Sequence, residues 1–196
     1  MVGNDIPEPG GFHPDENRGY QFCPMCGQRL HTEVIKSSEP ERLVCSRCHF
    51  VFYLDPKVAV GTIGAIDGKI VLLRRGIEPA YGKWVFPGGY IDQGETVEEA
   101  GIREAKEEVN LDVRIDSLLN VYSYRGRPVI IIVYAVQIVG GELRAADEAI
   151  EVNAFPPEQI PWKNLAFPST REALEEYVGK YRARLFTMKA GKEDIR

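Results

Sequence analysis

GYIDQGETVEEAGIREAKEEVNL, residues Gly89 to Leu111, holds seven acidic residues against two basic ones. Thr96-Val97-Glu98-Glu99 has the form of a capping box, which predicts a helix starting at Thr96 with Glu95 just outside it. At about 3.6 residues per turn, Glu104, Glu107 and Glu108 fall on one side, because positions three and four apart are neighbours. A solvated face would lie opposite the apolar stripe, where the wheel places Glu99, Arg103, Lys106 and Asn110. The three glutamates instead adjoin Val97, Ala100 and Gly101. Like charges at a partly buried edge take up protons unless a cation compensates them, and hard oxygen donors suit Mg²⁺ or Mn²⁺. The stretch therefore reads as a metal site.

Gly89, Glu95 and the run Arg103-Glu104-Ala105-Lys106-Glu107-Glu108-Val109-Asn110-Leu111, preceded by Trp84-Val85-Phe86-Pro87-Gly88-Gly89, resemble the signature box of the Nudix hydrolases. Two positions depart from the pattern. Ala105 stands where a larger aliphatic is usual, and Asn110 replaces the glycine that closes the helix; Asn tolerates the left-handed conformation required there. The resemblance spans roughly residues 58–178 and implies an α/β/α sandwich with a mixed sheet.

The 196 residues suffice for one full domain and a small appendage. A formal net charge of −5 argues against a general nucleic-acid or membrane-surface binder, so an anionic substrate must be drawn in by local cations. The start lacks a basic segment followed by an apolar run, and no stretch is long enough to span a bilayer, so a cytoplasmic protein with reduced cysteines is expected. Cys23-Pro24-Met25-Cys26 and Cys45-Ser46-Arg47-Cys48 are two C-x₂-C pairs at the separation of a closed four-thiolate zinc site. The rival readings are a haem-attachment motif at Cys45–His49, or redox dithiols. Haem attachment leaves the first pair unexplained. His31 and His49 read as surface or packing residues. With four basic and three acidic residues between the outer cysteines, this ribbon lacks the basic stripe of a nucleic-acid reader.

The expected organisation is a flexible segment over 1–20, a zinc ribbon over 21–55, the catalytic domain over 56–188 and a flexible tail over 189–196. Val58–Ile66 and Lys69–Arg75 read as strands joined by an Asp67-Gly68 hairpin turn. Gly76–Gly82 reads as a loop, Trp84–Phe86 as a short strand and Pro87-Gly88-Gly89 as a turn. Asp112–Tyr124 and Pro128–Val139 are expected to pair as strands, with Gly140-Gly141 turning the chain and Glu142–Arg144 starting another strand. Glu151–Phe155 reads as extended, and a helix is expected from Ser169 to about Phe186.

The resemblance also implies roles. Glu104, Glu107 and Glu108 would hold divalent metal together with the Gly88 carbonyl, braced by Glu95 and Arg103. The catalytic base lies outside the box in such proteins; Glu148 is the first candidate and Glu151 the second. Of Arg74 and Arg75, which alternate along a strand, one should face the site. Tyr81, Trp84, Tyr122 and Tyr124 are candidates to stack on a nucleobase, although aromatics at strand spacing also form core. A ribbon before such a domain is similar to two subgroups, the NADH pyrophosphatases and a group acting on ADP-ribose or FAD. The former carry a Ser-Gln-Pro-Trp-Pro-Phe-Pro-like segment that Asn120–Gly126 lacks, which favours the latter. The substrate is then a small nucleotide rather than nucleic acid or membrane, with room for a homodimer. A nucleotide sensor that does not hydrolyse is the alternative from another class.

Overall fold

The computed structural model describes residues 19–190, with side chains to residue 182. The expected flexible segments at either end lie largely outside the described residues. The chain divides into two compact units, one of residues 1–56 with 125–128, the other of 57–124 and 129–196.

In the smaller unit, β1 (Leu30–Glu33), β2 (Arg42–Cys45) and β3 (Val51–Phe52) form an antiparallel sheet in that order. Its core is Cys23, Leu30, Leu43 and Cys45, with Cys26, Phe50 and Phe52 against it. So few apolar side chains cannot by themselves offset the ordering of some thirty residues.

The larger unit is built on two sheets. β4 (Lys57–Ile63) pairs parallel with β10 (Val129–Gly141), while β8 (Gly88–Tyr90) and β9 (Leu111–Ser123) add antiparallel strands outside them, giving a mixed sheet β8-β4-β10-β9. The second sheet is antiparallel: β11 (Ala149–Phe155), β6 (Lys69–Arg75) and β5 (Ala65–Ile66), with β7 (Trp84–Val85) also on β6. Ile70, Val71, Leu72 and Leu73 are all buried, so β6 is covered on both faces and each side chain is worth about 1.5–3 kcal/mol. Helix α1 (Val97–Val109) packs on β4, β8 and β9, and α2 (Pro168–Ala190) on β9 and β10. In α2, Ser169, Thr170, Ala173, Leu174 and Tyr177 form the buried stripe.

Several expectations are corrected. Pro87-Gly88-Gly89 is no simple turn, since Gly88 and Gly89 pair with Gly61 and Val60 as strand β8. Only glycine permits that approach: a Cβ on Gly88 would lie 2.2 Å from the Val60 carbonyl oxygen. The long strand expected over Val58–Ile66 breaks at Gly64, where the chain leaves the mixed sheet for the antiparallel one. Gly140 and Gly141 stay in β10, opposite Asp112 and Leu111, because a register shift after Ile138 absorbs the irregularity. Glu142–Arg144 starts no strand; its backbone is instead bonded to the end of α1. β11 begins two residues earlier than expected and α2 runs on to Ala190. The Asp67-Gly68 hairpin has positive φ at both residues, as a two-residue turn between twisted strands requires.

Candidate functional site

Helix α1 starts where its sequence predicts. Thr96 accepts from the Glu99 amide at 3.2 Å while the Glu99 carboxylate accepts from the Thr96 amide at 2.8 Å. At the other end Asn110 is left-handed, with φ 55°, and its side-chain amide donates to the Glu142 carbonyl at 2.9 Å. That second bond is something the usual glycine could not make.

The helix presents Glu104, Glu107 and Glu108 on one edge, as the wheel predicts, but Arg103 does not point away from them. It folds back into the cluster, donating to Glu95 through Nε (2.7 Å) and Nη2 (3.0 Å), to Glu104 (2.8 Å) and Glu107 (2.9 Å) through Nη1, and to the Tyr90 carbonyl (3.2 Å). A long side chain is not bound to the direction of its Cα on a wheel. Five contacts use all five guanidinium N–H donors. The Glu95 carboxylate is held below the usual carboxylate range by Arg103 and by the Asp92 amide.

Glu104 and Glu108 go the other way. Burial raises Glu104 despite Arg103. Glu108, 6% exposed, is pushed up to about 8 by burial, with Glu104 and Glu148 adding repulsion; the Gly88 amide, 2.7 Å from its Oε2, and Arg75 only partly oppose this. A side chain at Gly89 would displace the Glu104 carboxylate, which a Cβ there would meet at 2.4 Å. The donors suit a hard divalent cation: acceptor-only oxygens, one of them buried with too little positive charge around it. They are more widely spread than the cysteines described below. Among the described residues only the four cysteines bring three or more donor atoms within 4.8 Å; Glu104 and Glu107 are both held by the Arg103 Nη1. Glu107 is half-exposed and, among the described residues, held by Arg103 alone.

The loop after β10 reaches the same place. Arg144 and Ala146 donate their amides to the Val109 and Glu108 carbonyls at 3.2 and 3.1 Å, and the Glu148 carbonyl accepts from Gly76 at 2.7 Å. This stitching sets the exposed Glu148 carboxylate within electrostatic reach of Glu104 and Glu108. Glu151 lies elsewhere, paired with Arg74 at 3.2 Å. The two arginines therefore separate: Arg74 is held by Glu151 and the Gly82 carbonyl, and Arg75 is on the side of Glu108.

The aromatic candidates separate too. Trp84 is buried in the core, its ring edge-on to Phe155 at 4.9 Å, and Tyr122 is buried with its hydroxyl donating to Glu176. Neither can stack on a base, and the strand-core alternative holds for both. The hydroxyl of Tyr124 is buried, and its pKa is raised to about 12 by that burial and by Glu172. Tyr81, 58% exposed, is left open to a ligand. Residues that sequence reasoning missed are Tyr90, whose carbonyl anchors Arg103, and Phe167, whose ring lies 5.3 Å from the Arg75 guanidinium. No local pattern marks either one.

In the smaller unit the sulfurs of Cys23 and Cys48, Cys26 and Cys45, and Cys26 and Cys48 lie 3.6, 3.5 and 3.6 Å apart. Zn–S bonds of about 2.3 Å in a tetrahedron require about 3.8 Å. The two pairs sit in matching turns, each with a left-handed residue after the second cysteine: Gly27 at φ 72° and His49 at φ 58°. His49 is thus a turn residue. The Cys48 amide pulls Cys45 down to about 6, whereas Cys48, although the Phe50 amide favours its thiolate, goes up to about 12 through desolvation and the three other sulfurs. Four thiolates need a cation to coexist.

A family model described as the NUDIX domain matches residues 55–177. The chain belongs to the Nudix family. A second model, described as the Nudix N-terminal zinc ribbon, matches residues 21–54. An ADP-ribose pyrophosphatase from Methanocaldococcus jannaschii is 40% identical over 147 residues, covering 73% of this Nudix chain and 82% of that protein. A NUDIX hydrolase from Nitrosomonas europaea superposes with a TM-score of 0.79 at 30% identity, over 83% of this chain and 93% of the other. An NAD-capped RNA hydrolase from Photorhabdus laumondii is 32% identical over 98 residues, but those cover 50% of this chain and 36% of that relative's length.

Proposed function

We propose that this Nudix enzyme hydrolyses the pyrophosphate bond of a nucleoside diphosphate linked to a second group, with ADP-ribose or FAD ahead of NADH, giving AMP and the partner's phosphate. The observation that carries the reading is the buried, under-compensated Glu108 on the same helix edge as Glu104 and Glu107, with Glu148 set beside them by the loop stitching. Glu104, Glu107 and Glu108 would hold Mg²⁺ or Mn²⁺, with the Gly88 carbonyl as a further ligand. Bound there, the ion neutralises pyrophosphate charge and makes water more acidic. Glu95 and Arg103 position the cluster, Glu148 takes a proton from water, and the four cysteines hold a structural Zn²⁺. Ranking ADP-ribose first rests on the 40% identical relative and on the absent Pro-Trp-Pro segment. Among the described residues no helix is long and apolar enough to cross a membrane, and reduced cysteines fit a cytoplasmic setting.

The deciding experiment compares kcat/KM for ADP-ribose, FAD, NADH and a nucleoside triphosphate with Mg²⁺ and with Mn²⁺, since this ratio reports transition-state stabilisation directly. A clear preference for ADP-ribose or FAD is expected. Preference for NADH would move the enzyme toward its NAD-capped RNA hydrolase relatives. Nucleotide binding without turnover on any of the four would favour a sensor.

A further inference from the structure

We propose that Arg75 is a phosphate clamp: its two terminal nitrogens take the second phosphate of the bound pyrophosphate, so the site selects diphosphates over monophosphates. The proposal deepens the reading above and rests on it for the identity of the anion. Arg103, Arg74, Lys83 and Arg75 are among the cations on or beside the strands and helix that frame the carboxylates; of the others, Lys106 is paired with Asp112 at 2.8 Å and Lys57 lies over the Tyr90 ring. Arg103 has no donor left, and Arg74 is occupied by Glu151 and the Gly82 carbonyl. The Lys83 ammonium is drawn to the Asn164 side chain at 2.8 Å. Arg75 differs from all three. Its Nε donates to the Pro79 carbonyl at 2.8 Å and its face rests on Phe167, while among the described residues neither terminal nitrogen has a partner. The guanidinium is held by one edge and one face, with its two-pronged end open.

The backbone sets Arg75 beside the segment that carries Glu148, and the Arg75 charge acts on Glu108. Arg75 is paired with Ala149, the residue after Glu148; the Glu148 carbonyl accepts from Gly76, next to Arg75, and Ala146, two residues before Glu148, donates to the Glu108 carbonyl at the end of α1. A planar fork held in this way matches two phosphate oxygens, and fixing it beforehand lowers the ordering cost of binding. An AMP phosphate engaged at the carboxylates through a cation would leave the fork unused; ADP would fill it.

The test is calorimetric titration of the full chain with ADP and with AMP in Ca²⁺ buffer, which requires no turnover. The parent should prefer ADP, and Arg75→Gln should reduce that preference by about tenfold or more, the scale of charge-assisted hydrogen bonds. Arg75→Lys should restore only part of it, and Arg74→Gln should keep it whole. Melting curves for each variant separate lost contact from lost fold, and if Arg75→Gln fails to fold, a several-fold loss in Arg75→Lys decides for the clamp. An unchanged preference in the position-75 variants, an equal loss in Arg74→Gln, or a parent indifferent to the second phosphate would overturn it. ADP preference that depends on Arg75, in a chain that hydrolyses neither ADP-ribose nor FAD, would reject the substrate ranking and support the clamp.

Discussion

The two candidate metal sites of this chain are built on opposite plans. In the ribbon, donor atoms on two short turns are already packed to within a few tenths of an ångström of tetrahedral zinc spacing, and two of the four cysteines belong to a core of four buried residues. In the Nudix unit the carboxylates hang from a helix that is capped at both ends and buried against a large core, and an arginine occupies the centre of the cluster. With so small a core the ribbon is expected to need an ion to fold. The box is expected to fold without an ion, its carboxylates held by the capped helix and by Arg103.

The largest effect that would test this contrast is loss of zinc. Cys45→Ser, or strong chelation, should unfold the ribbon while the unit from residue 57 keeps its own cooperative transition, because the binding free energy of such sites, about 10–16 kcal/mol, is folding free energy. Hydrogen exchange resolved by residue would show it, and protected β1 and β2 amides in zinc-free protein would defeat the contrast. Next in size, Glu108→Gln or Glu107→Gln should lower kcat by orders of magnitude with the melting temperature kept, since the fold of this unit does not need the ion. Near-parent turnover in both would remove the carboxylate edge from the chemistry.

Glu148→Gln should cost about 10²–10⁴-fold in kcat, the usual range for a general base, and Glu151→Gln only a few-fold. The reverse order would make Glu151 the base. A smaller effect is the pH dependence of stability. Native Glu108 holds its proton up to about pH 8, against an ordinary value of 4.5, so between those values the folded chain binds more protons than the unfolded one. Without divalent ions stability should therefore fall as pH rises through that window and level off above it. Glu108→Gln should flatten the slope, which thermal melts at several pH values would reveal, and added Mg²⁺ should stabilise more at pH 8 than at pH 6. Smallest, Asn110→Ala should cost about 1–2 kcal/mol by placing an ordinary side chain in the left-handed region, while Asn110→Gly trades relief of that strain against the bond to Glu142.

What could be read from sequence was local. The cap at Thr96, the turn at Asn110, the hairpin at Asp67-Gly68 and the glutamate spacing each depend on neighbours within a few positions, and all are found in the structure. What could not be read depends on distant partners. Strand β8 is hidden inside Pro-Gly-Gly because its pairing with Val60 and Gly61 is what makes it a strand. Arg74 and Arg75 are equivalent in any local pattern; Glu151 on one side and Phe167 on the other tell them apart. Trp84 and Tyr122 satisfy a core and a stacking platform equally well until Phe155 and Glu176 are placed beside them.

The two amide bonds from Arg144 and Ala146 to the last carbonyls of α1 couple the mechanics of the unit. A loop that would otherwise drift on its own timescale is fastened at Arg144 and Ala146 to the helix carrying the carboxylates. Because the Glu148 carbonyl also accepts from Gly76 and Ala149 pairs with Arg75, the same segment fixes the proposed base against the end of β6 as well. The amides of Arg144 and Ala146 should accordingly exchange hydrogen at the rate of the helix rather than of a loop.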